Sequence, residues 1–266
     1  MSELSQIAST GPSAAFFDLD RTLIAGASAF VVGLAAWRAD LVPAPQLARD
    51  GLSALTFRLG GTSDGATDRA RDRMLAGVTG LRQDDLVALN EDVVPRLLAK
   101  VRPEARRLVE LHRAAGRGTY IVSASPEELV VPLAASLGMS GGIGTIAEVV
   151  DGVYTGALSG PFCYGEGKVQ AIAELARWEG LDLTQCYAYS DAASDLPMLE
   201  AVGHPVAVNP DGRLERVAQQ RGWPIVIFRR RTKSVIRRTT AAVGTVGVAA
   251  AAFAGGLQVG RTHRTR

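Results

Sequence analysis

Two cysteines in 266 residues, Cys163 and Cys186, are too few for a disulfide scaffold or a thiolate zinc module. The three histidines, His112, His204 and His263, are scattered and show no metal-ligand spacing. Aromatic residues make up only 6% and charged residues 21%, but hydrophobic residues reach 47%, which excludes global disorder. Residues 1–13 lack both a basic n-region and an apolar h-region, so they do not read as a secretory signal, and a cytoplasmic body is expected. Acidic residues are absent from 229–266, which hold nine Lys and Arg; the remainder carries 20 basic against 27 acidic residues. An acidic body argues against a nucleic-acid-binding core, and a basic tail calls for an anionic surface.

What is present is a rhythm of short apolar runs and helical stretches. Ala14–Asp18, Thr119–Val122, Cys186–Tyr189, Pro205–Val208 and Ile225–Phe228 read as buried strands. Ser125-Pro126-Glu127-Glu128 has the form of a capping box: an N-cap serine, proline at the first helical position, glutamate at the third. Pro132 should bend that helix. Lys168–Glu179 and Leu196–Val202 read as helices stopped by Gly180 and Gly203. Strands alternating with helices predict an α/β domain with a Rossmann-like parallel sheet covered on both faces.

Two segments break the rhythm. Residues 25–100 contain no strand run and read as helices around Phe30–Ala39, Pro45–Leu59, Ala66–Ala76 and Arg82–Lys100. In 146–158, Asp151-Gly152 sits between alternating runs, the pattern of a β-hairpin. The expected organisation is therefore a core formed by 14–24 and 101–228, a helical insert at 25–100 and a basic linker at 229–240. Beyond it lies Ala241–Gly260, twenty uncharged residues that as a helix would span about 30 Å, the thickness of a bilayer core. Arginines flank it on both sides, so a C-terminal apolar helix in or on the membrane is expected.

The chemistry gathers at strand ends. Asp18-Leu19-Asp20-Arg21-Thr22 follows the first strand directly. In an open parallel sheet ligands bind beyond the carboxyl ends of the strands. There one carboxylate can attack an electrophile and the other can exchange a proton, while their repulsion and hard oxygens favour Mg²⁺ nearby. The plainer reading of this motif alone is a solvated loop with capping Asp and Thr. Ser123 closes the second strand, Lys168 opens a helix after Gly165-Glu166-Gly167, and Asp191 and Asp195 follow a later strand. A hydroxyl and a lysine so placed can hold phosphate; the acid pair can ligate and support a metal.

Together these four motifs resemble the haloacid dehalogenase superfamily of aspartate-nucleophile phosphatases, over about residues 14–228. The insert resembles its C1 cap, and the spacing looks like subfamily IB, which includes phosphoserine phosphatases. The resemblance implies Asp18 as nucleophile and Asp20 as general acid/base. It places Thr22, Ser123 and Lys168 on the phosphoryl group and Asp195 in support of Lys168 and the metal's waters. Mg²⁺ would be held by the Asp18 carboxylate, the Asp20 backbone carbonyl and the Asp191 carboxylate. The expected activity is Mg²⁺-dependent hydrolysis of a small phosphate monoester, a metabolite or lipid-derived, through an aspartyl-phosphate. Phosphoserine phosphatase proper, a phosphotransferase and a non-catalytic membrane-recruited regulator are the alternatives.

The phosphoserine-specific members carry an acid nine positions after the nucleophile, where this chain has Ala27, and favour Ser-Gly-Gly where it has Ser123-Ala124-Ser125. Both departures predict a poor fit to phosphoserine. Arg58, Arg69, Arg71 and Arg73 in the insert are candidate partners for a substrate anion, although most are expected to form solvated helix faces. Cys163 is expected to be a buried structural residue.

Overall fold

The computed structural model describes residues 12–42, 64–228 and 235–237. Its centre is a seven-stranded sheet. Six strands are parallel: β1 (Ala14–Phe17), β2 (Gly118–Pro126), β3 (Gly141–Thr145), β6 (Tyr187–Ser190), β7 (His204–Val208) and β8 (Ile225–Ile227). The edge strand β9 (Val235–Arg237) pairs antiparallel with β8, so part of the expected linker adds to the sheet. A separate antiparallel hairpin joins β4 (Ala147–Val150) to β5 (Val153–Leu158). Asp151 and Gly152 turn it with positive φ at both positions, the geometry that Asp-Gly favours.

The spatial order is β3-β2-β1-β6-β7-β8-β9. From β1 the chain winds outward through β2 and β3, then returns to β6 on the other side of β1 and winds outward again. The order therefore reverses at β1, and the crevice at its carboxyl end is where such sheets bind ligands. The run Ala14-Ala15-Phe16-Phe17 is fully buried because alternate residues enter different faces. Phe17 joins Ile121, Tyr189 and Val208 on one face, while Phe16 joins Val122, Ala188 and Ala207 on the other.

The helices are α1 (Ser28–Arg38), α2 (Asp64–Val78), α3 (Gln83–Ala88), α4 (Asn90–Leu98), α5 (Pro103–Ala114), α6 (Glu127–Ser136), α7 (Glu166–Glu179), α8 (Leu196–Glu200) and α9 (Gly212–Arg221). The helix expected over Arg82–Lys100 is divided in two at Leu89, and Pro45–Leu59 lies outside the described residues. So does Ala241–Gly260; among the described residues no helix is long and apolar enough to cross a membrane.

The capping box is a correction. β2 runs on to Pro126, which is itself the N-cap of α6 and offers no side-chain bond. Ser125 lies in the extended chain, where its N–H donates to Ser123 Oγ at 3.2 Å and its hydroxyl shares a 3.0 Å hydrogen bond with Ser28. Proline set the helix start one residue later than a capping serine would.

Segment 25–100 leaves and rejoins the core through two adjacent strand-like stretches. Ala25 N–H donates to Lys100 O at 2.8 Å, Arg102 N–H donates to Leu23 O at 3.0 Å, and Ile24 bridges Val101. A second tie runs through Glu128. Its Oε1 accepts from Gln83 Nε2 and from Tyr154 Oη, and its backbone carbonyl accepts from Asn90 Nδ2.

Under the sheet's central strands, His112 is buried. Its Nε2 shares a 2.7 Å hydrogen bond with Tyr189 Oη, and Tyr189 stacks on Phe17 with centroids 4.6 Å apart. Burial, aided by Arg117 and His204, pushes the imidazole pKa down from 6.5 to about 4. A base whose folded pKa lies below its unfolded value stabilises fully above the unfolded value and progressively less as pH falls toward the folded one. The stability lost between pH 6.5 and 4 is about 3 kcal/mol. Urea unfolding of the wild type and of His112→Gln at pH 7 and pH 4.5 should show a smaller acid-induced loss in the variant. Equal losses would remove His112 from this role.

Candidate active site

The polar groups meet where β1, β2 and β6 end. Asp18 directly follows β1 and donates its backbone N–H to Tyr189 O on β6 at 2.9 Å, which continues the ladder to the carboxylate itself. The chain then turns tightly. Leu23 N–H donates to Asp18 O, Arg21 N–H donates to Gly26 O, and Arg21 adopts φ 63°. This turn sends Asp20 back toward α1, where its Oδ1 accepts the Ser28 backbone N–H at 2.7 Å.

Lys168 enters from the first turn of α7. Gly167 permits this, because a Cβ there would collide with the Phe162 carbonyl. The ammonium, 2% exposed, donates to Asp18 Oδ1 at 2.7 Å and to Asp195 Oδ2 at 2.8 Å. Asp195 Oδ2 also accepts the Ser190 hydroxyl at 2.7 Å. Burial alone would depress the lysine pKa, but Asp18 and Asp195 together outweigh it and hold the group charged. Asp191 follows β6, and its Oδ2 forms an ion pair with Arg21, 2.8 Å from Nε.

Burial dominates the electrostatics of the three carboxylates Asp18, Asp20 and Asp191. Burial drives Asp18 up, opposed by Lys168 and reinforced by Asp195. Burial also drives Asp191 up, reinforced by Asp18 and opposed by Arg21. Asp20 is raised chiefly by burial, with the Ser28 hydrogen bonds opposing. A divalent cation between Asp18 and Asp191 would relieve their repulsion. Among the described residues no cluster of three or more His, Cys, Asp or Glu side chains could hold a metal. Two carboxylates and a backbone carbonyl nevertheless suit Mg²⁺, which keeps several waters and takes few protein ligands. Thr22 Oγ1 is buried with no hydrogen-bond partner, a donor waiting for an acceptor. The donor set therefore fits a magnesium-bound phosphate.

Asp18, Asp20 and Thr22 follow β1, Ser123 lies within β2 three residues before its end, Asp191 and Asp195 follow β6, and Lys168 comes from the first turn of α7. A scan against family models matches residues 15–200 to the haloacid dehalogenase-like hydrolases. The chain belongs to this family. Phosphoserine phosphatase SerB1 of Mycobacterium tuberculosis is 40% identical over 252 residues, covering 92% of this chain and 78% of the relative. A crystal structure of a Bordetella pertussis protein of unknown function matches with TM-score 0.69 and 31% identity, over 81% of this chain and 98% of that one. A phosphoserine phosphatase solved as an analogue of its phospho-aspartyl intermediate matches with TM-score 0.56 over 77% of this chain and 90% of that one. At 18% identity it speaks to the fold alone. This haloacid dehalogenase-like chain is accordingly a phosphatase of that family.

Three contributors were not singled out from sequence. Ser28 orients Asp20, and Arg21 engages Asp191. Asp211 caps α9 through Arg213 and Leu214 N–H, yet its Oδ2 also accepts from Ala193 N–H and its own N–H donates to Asp191 O, which fixes the loop that carries Asp191. Asn209-Pro210-Asp211-Gly212 announces a turn and a cap, but nothing in it announces the second duty. Among the insert arginines, Arg71 pairs with Asp68 and Asp72 on a solvated face, as expected. Arg58 and the side chains of Arg69 and Arg73 lie outside the described residues. Cys163 is buried, its thiol pushed up to about 12 by burial, in keeping with a structural residue.

Proposed function

We propose that this phosphatase hydrolyses a small phosphate monoester through an aspartyl-phosphate on Asp18. The observation that carries the reading is the buried Lys168 ammonium bridging Asp18 and Asp195 at the reversal point of the sheet. An Asp18 carboxylate oxygen attacks phosphorus and the bond to the ester oxygen breaks. Asp20, held by Ser28, delivers a proton to the departing alkoxide. Water then attacks phosphorus, Asp20 takes its proton, and phosphate leaves with the Asp18 carboxylate restored. Lys168, Thr22 and Ser123 hold the phosphoryl oxygens, and Asp195 with Ser190 keeps Lys168 aimed. Mg²⁺, held by the Asp18 and Asp191 carboxylates and the Asp20 carbonyl, supplies charge neutralisation when bound.

The name of the 40%-identical relative supports an ester of phosphoserine size. Ala27 argues against phosphoserine itself: it is the N-cap of α1, and the first turn of that helix carries no acid to meet an ammonium group. A panel of phosphomonoesters assayed with and without Mg²⁺ tests both points. Release of phosphate should require Mg²⁺, and phosphoserine should rank below esters without an α-ammonium group. A highest kcat/KM for phosphoserine would overturn the substrate reading, and metal-independent turnover would overturn the mechanism. A cytoplasmic catalytic body held at the membrane by 241–260 is part of the same proposal, supported by the length of that uncharged stretch and its flanking arginines.

A further inference from the structure

Arg21 occupies a position that a glycine would fill with less strain. The turn from Asp20 to Gly26 requires φ 63° there, in the left-handed region that opposes any side chain. The residue nevertheless carries a side chain that is 41% exposed and sets its Nε 2.8 Å from the buried Asp191 Oδ2. Lys168 serves Asp18 and Asp195; Arg21 is the cation that serves Asp191.

The charges show what this contact does. Asp18, Asp20, Asp191 and Asp195, fully ionised against Lys168 and Arg21, leave a balance of two negative charges. One divalent ion cancels it. Without Arg21 the balance would be three, and the attraction for a cation correspondingly greater. A guanidinium bound to a metal-ligating carboxylate both occupies one of its oxygens and repels any cation on the other.

We infer that Arg21 is a built-in competitor for the metal: it neutralises Asp191 in the metal-free protein and weakens Mg²⁺ binding, so that occupancy follows the free Mg²⁺ concentration. This inference rests on the proposed metal site. It differs from the role of Lys168, which sits on the phosphoryl side, and it assigns the arginine of Asp18-Leu19-Asp20-Arg21-Thr22 a task that the chemistry of phosphoryl transfer does not require.

The test measures binding rather than turnover. Isothermal titration of the full chain with MgCl₂ is compared among wild type, Arg21→Gln, Arg21→Lys and Asp191→Asn, and thermal melting is followed across the same Mg²⁺ range. Arg21→Gln should bind Mg²⁺ about tenfold more tightly. Its melting temperature without Mg²⁺ should be lower than that of the wild type, and it should rise at lower Mg²⁺. Arg21→Lys, which keeps the charge, should stay within about twofold of wild type. Unchanged or weaker binding by Arg21→Gln, with Asp191→Asn abolishing binding, would overturn the inference and leave the metal site standing. Full Mg²⁺ binding by Asp191→Asn would instead overturn the metal site and the inference with it.

Discussion

Asp18→Asn should lower turnover by about 10⁴-fold or more while leaving the protein folded. The amide has nearly the shape of the carboxylate, and its oxygen can still accept from Lys168. It cannot form the acyl-phosphate. The fold should tolerate the change because Asp18 is buried and its charge is held at a cost set mainly by desolvation. Lys168 keeps Asp195 as its counter-ion. The decisive measurement pairs steady-state phosphate release with circular dichroism and a melting curve. Activity near wild type in a folded variant would end the role of Asp18 as nucleophile. A variant that no longer folds would show that the carboxylate matters to the core instead.

Lys168→Met should affect both stability and catalysis. The side chain fits the same apolar stem, but two buried carboxylates lose the ammonium between them. Breaking such a group from one side costs about 3–5 kcal/mol. Losing the cation on the phosphoryl group should lower kcat by at least about 10²-fold. The stability loss has a pH signature. Asp18 already lies above its ordinary 3.8 in the wild type, through burial, and without Lys168 the upward pressure is greater. An acid whose folded pKa exceeds its unfolded value destabilises at high pH, and that cost fades as pH falls through the folded value toward the unfolded one. The gap between wild type and variant should therefore be widest at neutral pH and narrow toward pH 4. A constant gap would mean that Lys168 contributes packing rather than charge.

Much of this was legible in the chain because the relevant residues are tied to local rules. Ala14-Ala15-Phe16-Phe17 is a short, continuously apolar run that reads as a strand buried on both sides, which places the acids that follow it at a strand end. Gly180 ends α7 with a left-handed residue, and Asp151-Gly152 forms its hairpin, since each obeys a turn preference that needs no tertiary partner. The strand β3 was not legible. Gly141-Gly142-Ile143-Gly144-Thr145 lacks alternation and β-branched density, and its glycines serve a neighbour. A Cβ at Gly142 would stand 2.7 Å from the Val130 carbonyl, and one at Gly144 would stand 2.5 Å from Glu127 Cα. These glycines let α6 lie directly on the strand, a requirement that only the packed structure exposes. The same holds for Asp211 and Ser28, whose second partners are 18 and 97 residues away in sequence.

The paired stretches at Ile24 and Val101 have a wider consequence. They bring the exit and the return of segment 25–100 to within one strand spacing of each other, about 5 Å. For the core, that segment is a plug in a socket. Closing the socket depends on the short ladder at its rim, and the entropy of the loop grows only slowly with its length. Asp18, Lys168, Asp191 and Asp195 are all set by residues on the core side of the rim. The inserted residues beyond Ser28, which holds Asp20, can therefore diverge in length and shape without disturbing those four, and one set of carboxylates and lysine can stand beneath inserts of different build.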